Sequence, residues 1–243
     1  MRKVIGSMNH IHQYDLREFE GRVFYVTDIH GHFGLLHEAF RDLNFDTSRD
    51  LLFVGGDNTD RGPESQWILD YINEPWFISI QGNHEQLYID GFESHWNPNN
   101  SSVRCLAMHG GAWIEDMNNL QKILIHDAFI NLPLGIELLL PRGRKVGIIH
   151  AEVPYNDWDM FKDVTGTEYD MYAKAEAQWA RRWYSSAYRG QVKGVDFVLV
   201  GHTPTDTGEV EQLGNMVFCD GGSFFRKKLN MIELNDQFMR NIK

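Results

Sequence analysis

The stretch YVTDIHGHF, residues 25–33, sets the reading of this chain, because an apolar run ends abruptly there in an acid, a histidine and a glycine. Val23 to Val26 are β-favouring and mark a buried strand. Asp28 and His30 then stand one residue apart at its end. A single Asp would cap a following helix, which leaves His30 surplus to that task. Alone, D-x-H is better read as a capping turn beside an ordinary surface histidine, until something elsewhere in the chain answers it.

Outward from this point, FGLLHEAFRDL (residues 33–43) places Phe33, Leu36, Phe40 and Leu43 on one helical face, and LLFVGG (51–56) follows as a second apolar strand. ESQWILDYIN (64–73) reads as a further helix and WFISIQGN (76–83) as a third strand. The first ninety residues therefore predict consecutive βαβ units, a parallel sheet and ligands at its carboxyl edge. Residues 93–131 read as mostly helical around a loop at NPNNSS (97–102). KVGIIHAEV (145–153) and DFVLVGHTP (196–204) are buried strands ending in histidine, separated by the long amphipathic stretch YDMYAKAEAQWARRWY (169–184). NMVFCDGG (215–222) and LNMIEL (229–234) close the chain as a hairpin-like pair.

Nothing in this pattern marks a linker or a repeat, so one α/β domain over residues 1–243 is expected. A formal charge of −11 argues against nucleic acid or anionic membrane held by bulk electrostatics. The N-terminus lacks the apolar core of a signal peptide and no run of about 18 apolar residues occurs, which predicts a cytoplasmic protein. Cys105 and Cys219 are far apart and form no CxxC, so both read as inert core thiols. Trp158, Trp179 and Trp183 read as packing residues, and Met108, Met160 and Met171 as filler.

The second strand ends in Gly56-Asp57-Asn58-Thr59-Asp60-Arg61-Gly62 and the third in Gly82-Asn83-His84-Glu85. Asp28, Asp57 and Asn83 recur at intervals of 29 and 26 residues, near the roughly 30 of one βαβ unit, so the three sets should converge. His150 and His202 add two more strand ends. Carboxylate, imidazole and amide oxygen without cysteine suit Mn²⁺, Fe²⁺ or Zn²⁺ in a catalytic rather than a structural site. Six such ligands, Asp28, His30, Asp57, Asn83, His150 and His202, are too many for one open ion. They suit two ions bridged by a carboxylate, typically about 3.5 to 4 Å apart.

D-x-H-G, G-D-x-x-D-R-G-P, G-N-H-E, H-A and G-H-T-P together resemble the phosphoprotein phosphatase branch of the calcineurin-like metallophosphoesterases, and within it the compact bacterial and bacteriophage enzymes typified by lambda phosphatase. The resemblance runs from about residue 22 to 234, including NLPLGIEL, WARRWY and CDGGSFFRKKLNMIEL. It implies a central β-sandwich of mixed sheets flanked by helices, with the active site at the carboxyl ends of the strands. It implies that Asp28 and His30 hold a first metal, Asp57 bridges, and Asn83, His150 and His202 hold a second. His84 would be the general acid oriented by Asp60, and Arg61 and Arg181, the arginine in the W-x-R position, would bind phosphate.

The implied activity is hydrolysis of phosphoserine or phosphothreonine in phosphoproteins or phosphopeptides, with phosphotyrosine a third candidate, by direct attack of a metal-bridging hydroxide. A dinucleoside-polyphosphate hydrolase and a non-catalytic binding module are the alternatives. Thr27 stands where the family usually has Gly, and the polar Asn58-Thr59 pair replaces commonly apolar residues; neither member of that pair is expected to touch a ligand. Glu85 reads as a helix-start residue or a ligand's partner, and His109 as the unpaired histidine that lines the cleft.

Overall fold

The β-favouring runs find partners in two sheets. A computed structural model describes residues 3–8, 10–164 and 171–242, the first of these segments as backbone only. The strands are β1 (Lys3–Met8), β2 (Ile11–Asp15), β3 (Val23–Val26), β4 (Leu51–Val54), β5 (Phe77–Ser79), β6 (Gly135–Leu140), β7 (Arg144–Ile149), β8 (Phe197–Val200), β9 (Glu211–Leu213), β10 (Met216–Phe218) and β11 (Ile232–Glu233). One sheet runs β11-β3-β4-β5 and the other β1-β2-β6-β7-β8-β10-β9. β3, β4 and β5 are parallel, as the βαβ reading requires, and β11 adds an antiparallel edge at β3.

The α-helices among the described residues are α1 (Phe33–Asp42), α2 (Ile68–Tyr71), α3 (Asn83–Glu93), α4 (Ser101–Met108), α5 (Asn119–Ile130), α6 (Trp158–Val164), α7 (Met171–Trp179), α8 (Arg182–Ser185), α9 (Ser223–Arg226) and α10 (Asp236–Asn241). Alternation along the strands separates three apolar layers. Tyr25, Phe53 and Ile78 of the smaller sheet face Ile136, Leu138, Ile148, Leu199 and Val217 of the larger one. Phe24, Val26, Leu52 and Val54 turn the other way, against residues of α1, α2, α3 and α5. Val198, Val200 and Phe218 meet Trp158, Phe161 and Ala177. The architecture is the expected mixed-sheet sandwich flanked by helices.

Several sequence expectations are corrected. The two closing segments do not form a hairpin: β10 pairs in parallel with β8 and β11 with β3, in different sheets. The connection between them far exceeds the two to five residues of a tight turn, and it crosses from one sheet to the other. The segment at 64–73 splits into a 3₁₀ turn, Ser65–Trp67, and the single turn of α2. Two side chains at its start bond outside it, Glu64 accepting from Gly34 N of α1 and Ser65 donating to Gly62 O. The amphipathic stretch is interrupted between Trp179 and Arg182, while its Tyr169 and Asp170 lie outside the described residues. Met108, Met160 and Met171 are exposed rather than filler, and so is Trp179, whereas Trp158 and Trp183 are buried. Both cysteines are free, but only Cys219 is a core thiol.

Leu199, fully buried between the sheets, tests this layering. Leu199→Ala is expected to destabilise the fold by about 3 kcal/mol, read as a lower urea midpoint with an unchanged slope. A loss under about 1 kcal/mol would mean that the two sheets do not share this core.

Candidate active site

Each of the five metal-capable motifs read from the sequence lies just past the carboxyl end of a strand. Asp28 follows β3, Asp57 follows β4, Asn83 opens α3 after β5, and His150 and His202 follow β7 and β8. The smaller sheet thus supplies three groups and the larger sheet two, and all of them, with His30 and His84, are at most 5% exposed. The chain bends sharply to deliver them: Asp28, His30, Asp57, Asp60, Arg61 and His202 have φ between +48° and +71°. Asp and His tolerate this left-handed region better than most residues. Gly82 and Gly201 complete the approach, because a Cβ at either would overlap a carboxylate oxygen, of Asp57 and Asp28 respectively.

Hydrogen bonds decide which atom of each side chain faces inward. Asp28 Oδ2 accepts from the Thr27 hydroxyl at 2.6 Å and His202 N at 2.9 Å, which leaves Oδ1 for the site. Asp57 Oδ1 accepts His84 N at 3.0 Å. His30 Nδ1 meets the Thr59 carbonyl at 3.0 Å and His150 Nδ1 the Gly55 carbonyl at 2.7 Å, so each turns Nε2 inward. His202 bonds the Trp179 carbonyl through Nε2 instead, leaving Nδ1 as its metal-capable nitrogen. Asn83 Oδ1 lies 2.9 Å from His150 Nε2.

These inward atoms converge on Asp57 Oδ2. It lies 3.4 Å from His150 Nε2, 3.6 Å from His30 Nε2 and 3.9 Å from His84 Nε2. Two groups of metal-capable atoms, His30-Asp57-His84 and Asp57-His150-His202, share that carboxylate. Ligands about 2.1 Å from a tetrahedral ion sit about 3.4 Å apart, so donors at this separation fit a cation between them. Their chemistry, imidazole nitrogen with carboxylate and amide oxygen, suits a borderline divalent ion.

The electrostatics also favour cations. Burial works against the charge of Asp57, yet His150 and His84 hold its carboxyl well below the usual range. Burial likewise opposes His150, but Asp57 and Asp28 push it up to about 10. Burial, then Asp28, raise Asp220 well above an ordinary carboxyl. The site carries more buried negative charge than its own cations offset.

Beside the carboxylates, His84 Nδ1 bonds Asp60 Oδ2 at 2.6 Å, and Trp113 Nε1 donates to the other Asp60 oxygen at 2.6 Å. His84 Nε2 faces Arg61 Nη2 at 3.3 Å, and the Arg61 guanidinium lies 4.1 Å above the Phe224 ring. Arg61, His84, Arg181 and His109 line one cleft of about 200 Å³. Arg181 stands between α7 and α8 and donates to Thr203 Oγ1, whereas Arg182 turns away to Glu152 and Glu176.

Glu85 acts as a ligand's partner: its Oε2 accepts from Asp57 N and Gly82 N, and its Oε1 from Asn58 N, each at 2.8 Å. Asn58 and Thr59 are closer to the ligands than expected, since Thr59 O holds His30 and Asn58 holds Glu85. Sequence reasoning also missed Trp113, Phe224 and Asp220. Asp220 had a signal, since it follows the end of β10 as Asp28 follows β3. Cys105 lines the cleft as well, and is half-buried rather than a core thiol.

A sequence profile described as calcineurin-like phosphoesterase matches residues 21–206. The chain belongs to that family. Serine/threonine-protein phosphatase 2 of Escherichia coli is 31% identical over 207 residues, 83% of this chain and 87% of that protein. Its Salmonella typhimurium namesake is 30% identical over 220 residues, 87% and 92% of the two chains. A solved structure of a candidate diadenosine tetraphosphatase shares the fold, with a TM-score of 0.57 at 19% identity over 92% of this chain and 98% of that one.

Asp57→Asn is expected to lose at least one bound ion, because it removes charge shared by both donor groups. Elemental analysis finding two tightly bound ions in that variant would assign the bridge elsewhere.

Proposed function

We propose that this phosphoesterase is a metal-dependent phosphomonoesterase acting on phosphoserine or phosphothreonine in proteins, with phosphotyrosine a further substrate, as one catalytic domain in the cytoplasm. The observation that carries the reading is a single carboxylate, Asp57, shared by two groups of metal-capable atoms, one of which includes His84, with Arg61 in the same cleft. Relatives about 30% identical over most of the chain carry serine/threonine phosphatase names. A charge of −11 favours peptide over nucleic acid, and among the described residues no helix is long and apolar enough to cross a membrane.

In this reading Asp28 and His30 would hold one ion and Asn83, His150 and His202 the other, with Asp57 contributing to both. Two divalent ions, Mn²⁺ by preference, supply Lewis-acid polarisation of the phosphoryl oxygens and a water of lowered pKa. Arg61 and Arg181 grip the remaining phosphate oxygens, for which the guanidinium fork is suited. His84 protonates the departing oxygen from Nε2 while Asp60 fixes Nδ1–H and the ring plane. Arg61 can donate only to an unprotonated Nε2. Once the ring is protonated, both are donors aimed at one space, and an anionic phosphoryl group accepts from both. Asp57 and Asp60 favour that protonated ring against the opposing effect of burial.

Chelation is expected to abolish turnover and Mn²⁺ to restore it; full activity in EDTA after metal-free dialysis would sink the metal-dependent reading. A phosphoserine peptide should be hydrolysed in preference to diadenosine tetraphosphate, and the reverse order would favour a dinucleoside-polyphosphate hydrolase. General acid catalysis is worth about 10² to 10⁴ in rate and matters most for a basic leaving oxygen. His84→Asn should therefore retain its metals, lose most activity on phosphoserine peptide and lose distinctly less on p-nitrophenyl phosphate. Asp60→Asn should follow in milder form. Equal losses of His84→Asn on both substrates would make His84 a transition-state stabiliser rather than the acid.

A further inference from the structure

Glu152 is 1% exposed and takes no part in the chemistry above. Both of its oxygens are committed to the first turn of α8: Oε1 accepts Trp183 N at 2.6 Å and Oε2 accepts Arg182 Nε at 3.3 Å. The preceding residue, Ala151, donates its N–H to Ala177 O near the end of α7 at 2.8 Å. Two consecutive residues just beyond His150 therefore clamp both sides of the break between α7 and α8. Arg181 lies in that break with φ −134° and ψ 16°, outside either helix.

The break needs an external hold. α8 is only four residues long, and an isolated helical turn is unstable because nucleation fixes several residues for one hydrogen bond. Its first N–H groups have no partner within the helix, and Glu152 satisfies that of Trp183. Trp183 is also anchored by its indole, which donates to Asn156 Oδ1 at 2.9 Å. Arg181 thus stands one residue from an exposed side chain and two from a buried backbone contact, both made to the same carboxylate. If α7 ran on through 180–184 as one helix, the direction of Arg181 would follow helical periodicity and not the cleft.

We propose that Glu152 is the positioning residue for Arg181: it holds α8 as a separate turn, so that the segment following a metal-capable histidine also sets where the guanidinium meets phosphate. The proposal rests on the reading of Arg181 as a phosphate contact. Because Glu152 touches neither substrate nor the donor atoms, its loss should act only through Arg181.

A double-mutant cycle on metal-loaded protein tests this, with the dissociation constant of inorganic phosphate by calorimetry and KM and kcat on p-nitrophenyl phosphate as readouts. Glu152→Gln is expected to weaken phosphate binding and raise KM by about tenfold, the lower end for partners of functional groups, with kcat little changed. In an Arg181→Ala background the same substitution should cost less than about twofold, because the coupled contact is already gone. Equal losses in both backgrounds would overturn the positioning role, and so would an unaltered constant. If Arg181→Ala itself leaves phosphate affinity unchanged, the phosphate reading of Arg181 fails and the positioning role falls with it. Metal content and the thermal midpoint are measured alongside. Should Glu152→Gln lose metal or unfold, Arg182→Ala removes one of the two donors from the surface. It should weaken phosphate binding less than Arg181→Ala does, and only while Arg181 is present; loss independent of Arg181 would refute the proposal.

Discussion

Asp57 divides its two oxygens between different duties, and the rest of the site is arranged around that division. Oδ1 accepts the His84 backbone N–H, which ties the end of β4 to the start of α3, while Oδ2 faces three imidazoles. Its own N–H is held by Glu85, which sits one residue beyond His84 and also accepts from Gly82 and Asn58. The G-D and G-N-H-E segments are thereby locked to each other before any ligand arrives. A buried carboxylate costs several kcal/mol unless partnered, so its hydrogen bonds and facing imidazoles are what permit it to stand at the centre.

Delivery of the side chains depends on backbone that few residues adopt willingly. Six residues of the site lie in the left-handed region, and such positions persist only where surrounding structure over-determines them. Here the restraint comes from the sandwich. β3 and β4 are buried on both faces, and the strand ends are cross-tied by Asp28 N to Gly56 O and His30 N to Asp57 O. Ser223 adds a third tie, its hydroxyl donating to Asp28 O at 2.5 Å from the connection that leads to β11. That crossing between sheets is therefore tied to the site.

The convergence of these residues was legible in the sequence because they are punctuation: each interrupts an apolar run at a strand end, and the spacing of βαβ units brings the interruptions together. β3, β4, α1 and the two histidine-ended strands were legible for the same reason. β1, β2 and β9 were not, since IHQYD and EQL carry polar residues that only a sheet neighbour makes tolerable. Buried IELLL in β6 went unread as a strand because periodicity cannot distinguish a continuous apolar run from a buried helix. Trp113 and Phe224 had no local signature at all. Their roles arise from tertiary approach, one to Asp60 and the other to Arg61 and His30. The break at Arg181 was hidden by good helix formers on both sides; a carboxylate some thirty residues earlier in the chain holds it open.

A charge of −11 would seem to repel phosphate, yet the distribution of that charge resolves the conflict. Asp28, Asp57, Glu85 and Asp220 are buried, and Arg61 and Arg181 line the same cleft as Asp57 and Asp220. Burial raises the carboxyls of Asp28 and Asp220 above their ordinary range, so their negative charge is disfavoured where no cation offsets it. In the proposed reading divalent ions at the Asp57 carboxylate would supply fixed positive charge, reversing the local field so that an acidic pocket could take an anion. In the same reading the acidic residues are therefore what would make phosphate binding possible, and Arg61 and Arg181 would add orientation to an attraction that the cations supply.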